Sequence, residues 1–165
     1  MATLRPILEL ARAHLPPGVT LGRVDGPDDP LMGVLRLRWR GEELAIKLFR
    51  GAYTVCVPRA PFMAYYSVAS GTLGRFPVRY SAQALVYETR DANAVEGLLQ
   101  WLLQIVHDHD AAEAATRERE AAAFRARLVE ANAEMHESIR RARAEGRESS
   151  PERLEREIFK DKFSW

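Results

Sequence analysis

Cysteine is nearly absent from this chain: Cys56 is the only one among 165 residues. A lone thiol excludes an internal disulfide and any zinc site built from several cysteines of one chain, and a reducing, cytoplasmic setting is expected. Lysine is almost as scarce. Of 24 basic residues, 21 are arginine and only Lys47, Lys160 and Lys162 are lysine. Together with the many alanines, this reads as the bias of a GC-rich genome rather than as arginine chemistry. A dominant charge of one sign is missing too, since 24 basic and 23 acidic residues leave a net +1. No apolar run is long enough to cross a bilayer. The longest, Val95 to Val106, is interrupted by Glu96, Gln100 and Gln104, so no membrane association is expected. The N-terminus shows no signal-peptide pattern, because Arg5, Pro6, Glu9, Arg12 and His14 break up Leu4 to Leu15. Phosphate-binding loops and nucleophile elbows are also lacking. Gly71-Thr72-Leu73-Gly74 has neither the length nor the Lys-Ser/Thr ending of the former, and no serine sits in a G-x-S-x-G turn.

What is present is 47% apolar and 28% charged residues, a globular balance. The charge is uneven along the chain. Residues 1–90 hold 12 basic and 7 acidic side chains, and residues 91–165 hold 12 and 16. Two parts with different surfaces are implied.

Leu4, Ile7, Leu8, Ala11 and Leu15 form one helical stripe over 3–15, with Thr3 as its expected cap and Pro16-Pro17-Gly18 as its stop. The period then changes to two. Leu35, Leu37 and Trp39 alternate with Arg36, Arg38 and Arg40. Leu44, Ile46 and Leu48 repeat the apolar face, with Lys47 and Phe49 opposite. Tyr53–Val57, Phe62–Ala69, Phe76–Tyr80 and Ala84–Glu88 read as further strands joined by short turns. The predicted fold is therefore α+β: an antiparallel β-meander flanked by helices over residues 1–110. Its expected core comprises Leu8, Leu35, Leu37, Trp39, Ile46, Leu48, Val55, Leu98, Leu99, Leu102 and Val106.

A long C-terminal helical extension follows. Asp91 or Asn93 can cap it, with Glu96 at capping-box spacing from Asn93. Ala121, Phe124, Leu128, Ala131, Met135, Ile139 and Ala142 make a near-heptad seam in a charged helix over 111–146. Unbroken, residues 92 to 145 would form a rod of about 80 Å, which must bend back, pair with another chain or sit in a larger complex; His107-Asp108-His109-Asp110, polar all round, is where a bend would fall. Ser150-Pro151 starts a last short helix in a 147–165 segment. Its anchors Leu154, Ile158, Phe159, Phe163 and Trp165 are expected to dock, either on a partner or back on this chain, because large rings near a terminus gain by leaving water.

The order helix, meander, helix is similar to that of several small bacterial α+β domains, among them secretion-chaperone-like ones and the ubiquitin-conjugating and RWD fold. Gly26-Pro27-Asp28-Asp29-Pro30 ahead of a strand resembles the last of these. That family's Tyr-Pro turn and its cysteine in a loop after the sheet have no match here, so the resemblance implies no activity for this chain.

Few residues suggest chemistry. Cys56, between Val55 and Val57, reads as a buried small hydrophobe. His109 and Glu113 at i,i+4 form half of a metal site with no third ligand in view, so no metal, cofactor or catalytic set is expected. Arg36, Arg38, Arg40 and Lys47 beside Phe49 form a cationic sheet face able to meet phosphates and stack bases. The sequence thus predicts a non-enzymatic interaction protein (an adaptor, chaperone or assembly subunit) with a protein partner or a second copy. The alternative is a nucleic-acid-binding subunit using the arginine face.

Overall fold

Two Arg-Gly pairs punctuate the central strands. Arg40 and Gly41 have φ of 51° and 84°, and Arg50 and Gly51 have φ of 49° and 75°. Two consecutive residues at positive φ match the right-handed twist of the flanking strands and close two-residue hairpins. In the computed structural model, which describes residues 2–144 together with Phe159, these turns join β2 (Met32–Trp39), β3 (Glu42–Phe49) and β4 (Ala52–Pro58). The alternation sets the register: Leu35 faces Ile46, Ile46 faces Val55, and Val55 faces Tyr87 of β9 (Ala84–Thr89). With β1 (Val19–Asp25) and the two-residue β8 (Arg79–Tyr80), the sheet is antiparallel in the order β1-β2-β3-β4-β9-β8.

One face of this sheet is the core. All eleven residues expected inside are buried, joined by Ile7 of α1 (Arg5–His14), by Tyr53 and by Leu103 and Ile105 of α3 (Ala92–Ala144). The fold is the expected α+β arrangement of an antiparallel sheet followed by a long helix. The Asp91 carboxylate accepts the Asn93 N–H at 3.0 Å and caps α3. Thr3 does not cap α1, which has no side-chain cap. Its carbonyl instead accepts the Tyr53 hydroxyl at 3.0 Å. The Leu4 N–H donates to the Pro27 carbonyl at 3.1 Å, and Arg5 forms a two-pronged ion pair with Asp28. The guanidinium holds the Asp28 carboxyl below its ordinary range.

One expectation is corrected along the chain. Phe62–Ala69 is not one strand. Arg59–Tyr65 forms helical turns (α2, Arg59–Phe62, then a 3-10 turn, Met63–Tyr65), and only Tyr66–Ser67 is extended. Burying Phe62 beside Trp39, ring centroids 6.2 Å apart, overrides the strand-like composition. β5 (Tyr66–Ser67), β6 (Thr72–Leu73) and β7 (Phe76–Pro77) make a small second sheet. The helix left open as continuous or bent at His107–Asp110 is assigned helical throughout Ala92–Ala144. The chain divides into two units at His109/Asp110. In the second, Ala131 is fully buried, Leu128, Met135, Ile139 and Ala142 are half-buried, and Ala121 and Phe124 are exposed.

The small sheet is seated by Trp101, whose ring lies 6.0 Å from that of Tyr65 and 6.2 Å from that of Phe76. Gly74 makes room for it: at φ +57° an added Cβ would fall 2.7 Å from the Trp101 ring. Gly74→Ala combines left-handed strain with overpacking and is expected to lower stability by about 2–4 kcal/mol in urea unfolding. Gly51→Ala, at φ +75° with nothing within 4 Å, should cost only about 1 kcal/mol.

Tyr53 generates a pH dependence. Burial pushes its phenol above the ordinary value of 10.0, and the Glu96 carboxylate adds to the shift. The unfolded chain therefore loses this proton first, so stability falls as pH rises from about 10 through the folded pKa. Tyr53→Phe should remove that part of the alkaline slope and cost about 1 kcal/mol near neutral pH. Urea unfolding of both proteins between about pH 8 and 11 measures the difference.

Candidate interaction surface

The second face of the main sheet is open, and strand alternation populates it. Across its middle runs the row Arg36, Ala45, Cys56, Val86 and Arg79. On one side lies Val34, Lys47, Thr54 and Glu88, and on the other Arg38 beside Glu43. Cys56 is therefore not a core residue. Val55 and Val57 point inward, while Cys56 is half-buried on the open face.

The arginines of this face are not a bare cationic stripe. Arg36 lies 3.2 Å from Glu43 and 3.6 Å from Asp25. Arg38 shares Glu43 at 3.3 Å, and Arg79 pairs with Glu88. Arg23 reaches Asp25 at 2.7 Å. Carboxylates from β1, β3 and β9 thus answer the cations of β2 and β8. Sequence reading missed this because Asp25, Glu43 and Glu88 become neighbours of the arginines only through strand pairing. Arg40 does not share the face: it sits in the β2–β3 turn with its guanidinium 5.1 Å from the centre of the Trp39 ring. Lys47 is exposed on the open face and has no ion-pair partner among the described residues.

The sheet's apolar end was also missed. Met32 and Phe49 are cross-strand partners at the ends of β2 and β3 and are each 58% exposed; Leu31, before Met32, is 63% exposed. They flank a groove of about 510 Å³ lined also by Asp25, Asp29, Val34 and Lys47. The Arg50 guanidinium lies 5.1 Å from the centre of the Phe49 ring. The available signal was positional: Phe49 opposes the inward Leu48, and Met32 ends the strand whose inward residues are Leu35 and Leu37. Exposed apolar side chains grouped at one point are a mark of contact surfaces.

Other sites offer less. A groove of about 400 Å³ between the end of α1 and α3 carries His14, Gln100, Gln104 and His107. A void of about 30 Å³ in the core, beside Trp39 and Phe62, is water-sized and apolar. His109, Asp110 and Glu113 each bring one ligand atom within 4.8 Å of the others, a spacing that follows from successive turns of one helix. The His109 ring also packs edge-on against Trp39 at 5.6 Å. Of the tail anchors, Phe159 is helical and half-buried; Leu154, Ile158, Phe163 and Trp165 lie outside the described residues.

Because Arg36, Arg38 and Arg79 are answered by carboxylates in place, the open face is expected to hold nucleic acid only weakly. Fluorescence anisotropy with single-stranded DNA at physiological salt should give a Kd in the non-specific range, about 10⁻⁴ to 10⁻⁶ M. Arg36→Ala with Arg38→Ala should change the slope of log K against log salt by less than about one phosphate contact. Nanomolar binding, lost in the double variant, is the contrary result. Comparison with protein-family models, curated proteins and solved structures finds no match to this chain.

Proposed function

We propose that this is a non-enzymatic interaction protein, an adaptor, chaperone or assembly subunit of a reducing cytoplasm. Its partner is a protein, either a second copy or another chain. The carrying observation is the exposed group Leu31, Met32 and Phe49 at the end of an otherwise charge-paired sheet face. Large apolar side chains grouped in the open are stabilised by docking, at ~25 cal/mol per Å² removed from water. The neighbouring charges set orientation and exclude wrong partners more than they add affinity. The pairing of Arg36, Arg38 and Arg79 supports this reading over nucleic-acid binding, which needs cations free to replace counterions.

The helical extension and tail belong to the same proposal. A helix from 111 to 144 that is mostly polar and exposed, with its half-buried stripe from Leu128 to Ala142, suits a second contact surface. The apolar anchors Leu154, Ile158, Phe159, Phe163 and Trp165 supply area for docking.

The full-length protein, cross-linked in soluble extract of its native host, should yield a reproducible partner or self-adduct identified by mass spectrometry. Phe49→Glu is expected to reduce that product about tenfold while circular dichroism stays unchanged. Truncation after Ser149 should leave residues 1–109 folded and also lose a partner or an oligomer. If both variants keep the same partners and the same size in solution, the reading fails.

A further inference from the structure

We propose that the Leu31–Met32–Phe49 surface pairs with the same surface of a second copy of this chain about a two-fold axis. The proposal rests on reading that surface as an interaction site, and the charges around it choose the occupant. Elsewhere on the open face opposite charges meet within the sheet: Arg36 with Asp25 and Glu43, and Arg79 with Glu88. At the apolar end they do not. Lys47 and Arg50 meet no carboxylate, and Asp29 meets no cation, among the described residues. The groove therefore carries an unanswered anion, Asp29, on its β2 side, an unanswered cation, Lys47, on its β3 side, and exposed Met32 and Phe49 between them, with Arg50 outside it against the Phe49 ring.

An occupant of one charge sign would answer half of this surface and oppose the rest. A second copy answers both halves: a two-fold axis between facing copies, running along β2 and β3 over the Met32–Phe49 pair, sets the β2 side of each over the β3 side of the other and so brings Asp29 of each toward Lys47 of the other. An isologous contact requires this self-complementarity. The surface is also held in shape beforehand. The Arg50 N–H donates to the Leu31 carbonyl at 2.7 Å, tying the β3–β4 turn to the start of β2. Asp29 Oδ1 accepts the Leu31 and Met32 N–H groups at 2.8 and 3.4 Å, fixing the loop. Little ordering remains to be done on binding. Two small apolar patches with a charged rim fall in the weak class of interfaces, below about 1,200 Å², so association is expected at micromolar concentrations.

Sedimentation equilibrium of the full-length chain over a concentration series tests this. A monomer–dimer equilibrium is expected that weakens with added salt, as solvent-accessible charge pairs do. Phe49→Glu and Lys47→Glu should each weaken it by about tenfold or more. Both positions are exposed, and urea unfolding checks that the fold is kept. Asp29→Asn retains the acceptor for the two N–H groups and should weaken the dimer and flatten its salt dependence. A chain that stays monomeric throughout overturns the proposal. So does a dimer indifferent to Phe49→Glu and Lys47→Glu, including one that depends instead on the segment after Ser149. A monomer that still captures another protein through Phe49 overturns the second copy as occupant and leaves the interaction function standing.

Discussion

The packing of Leu35, Ile46, Val55 and Tyr87 beneath Leu98, Leu99 and Leu102 is the contact on which the rest of the first unit depends. Four adjacent strands contribute one inward residue each to this row, and every one is buried. Side chains alternate strictly along a strand, so a slip of one position would place Arg36 and Lys47 in the core and Leu35 in water. The cost of burying unpaired cations makes the register unambiguous. The open face follows from it: once the inward row is set, Arg36, Ala45, Cys56 and Val86 have only one place to go.

The charges of the open face show how pairing changes the meaning of a sequence pattern. Arg36 and Arg38 alternate with leucines and read as a cationic stripe. Antiparallel pairing sets Glu43 opposite Arg38 and brings Asp25 to the neighbouring strand. Exposed ion pairs of this kind add little stability, typically below about 1 kcal/mol each. Their effect is on recognition, because a guanidinium held by two carboxylates has little left for a phosphate. The same strands leave Met32 and Phe49 as a cross-strand pair exposed at one end of the face opposite the core.

Glycine and aromatic residues carry the remaining local constraints. Arg40-Gly41 and Arg50-Gly51 supply the positive φ angles of the hairpins. Gly74 serves packing as well as conformation, since the indole of Trp101 occupies the space of its missing side chain. Tyr53 links the sheet to the start of α1 through the Thr3 carbonyl. Thr3 is not the cap its position suggests because α1 begins at Arg5, which makes Leu4 the N-cap residue and leaves α1 without a side-chain cap.

The class of fold, most of the core and the change of period that separates meander from helix are legible in the residues alone. Each of these rests on local rules: apolar spacing of two or 3.6, turn residues at positive φ, an aspartate at a helix start. Phe62 to Tyr65 escaped those rules because Phe62 is placed by its distant neighbour Trp39 rather than by strand propensity. The side of the sheet taken by Cys56 was open in the same way, since Val55, Cys56 and Val57 are all apolar and alternation has no contrast to act on. The character of the surface comes instead from strand pairing. Whether an arginine is free or answered depends on residues such as Asp25, 11 positions away from Arg36 and brought beside it by strand pairing. Whether Phe49 stands alone or in an apolar group depends on Met32 being its cross-strand partner, with Leu31 beside it. Both are properties of juxtaposition, which hydrophobic periodicity along one strand does not encode.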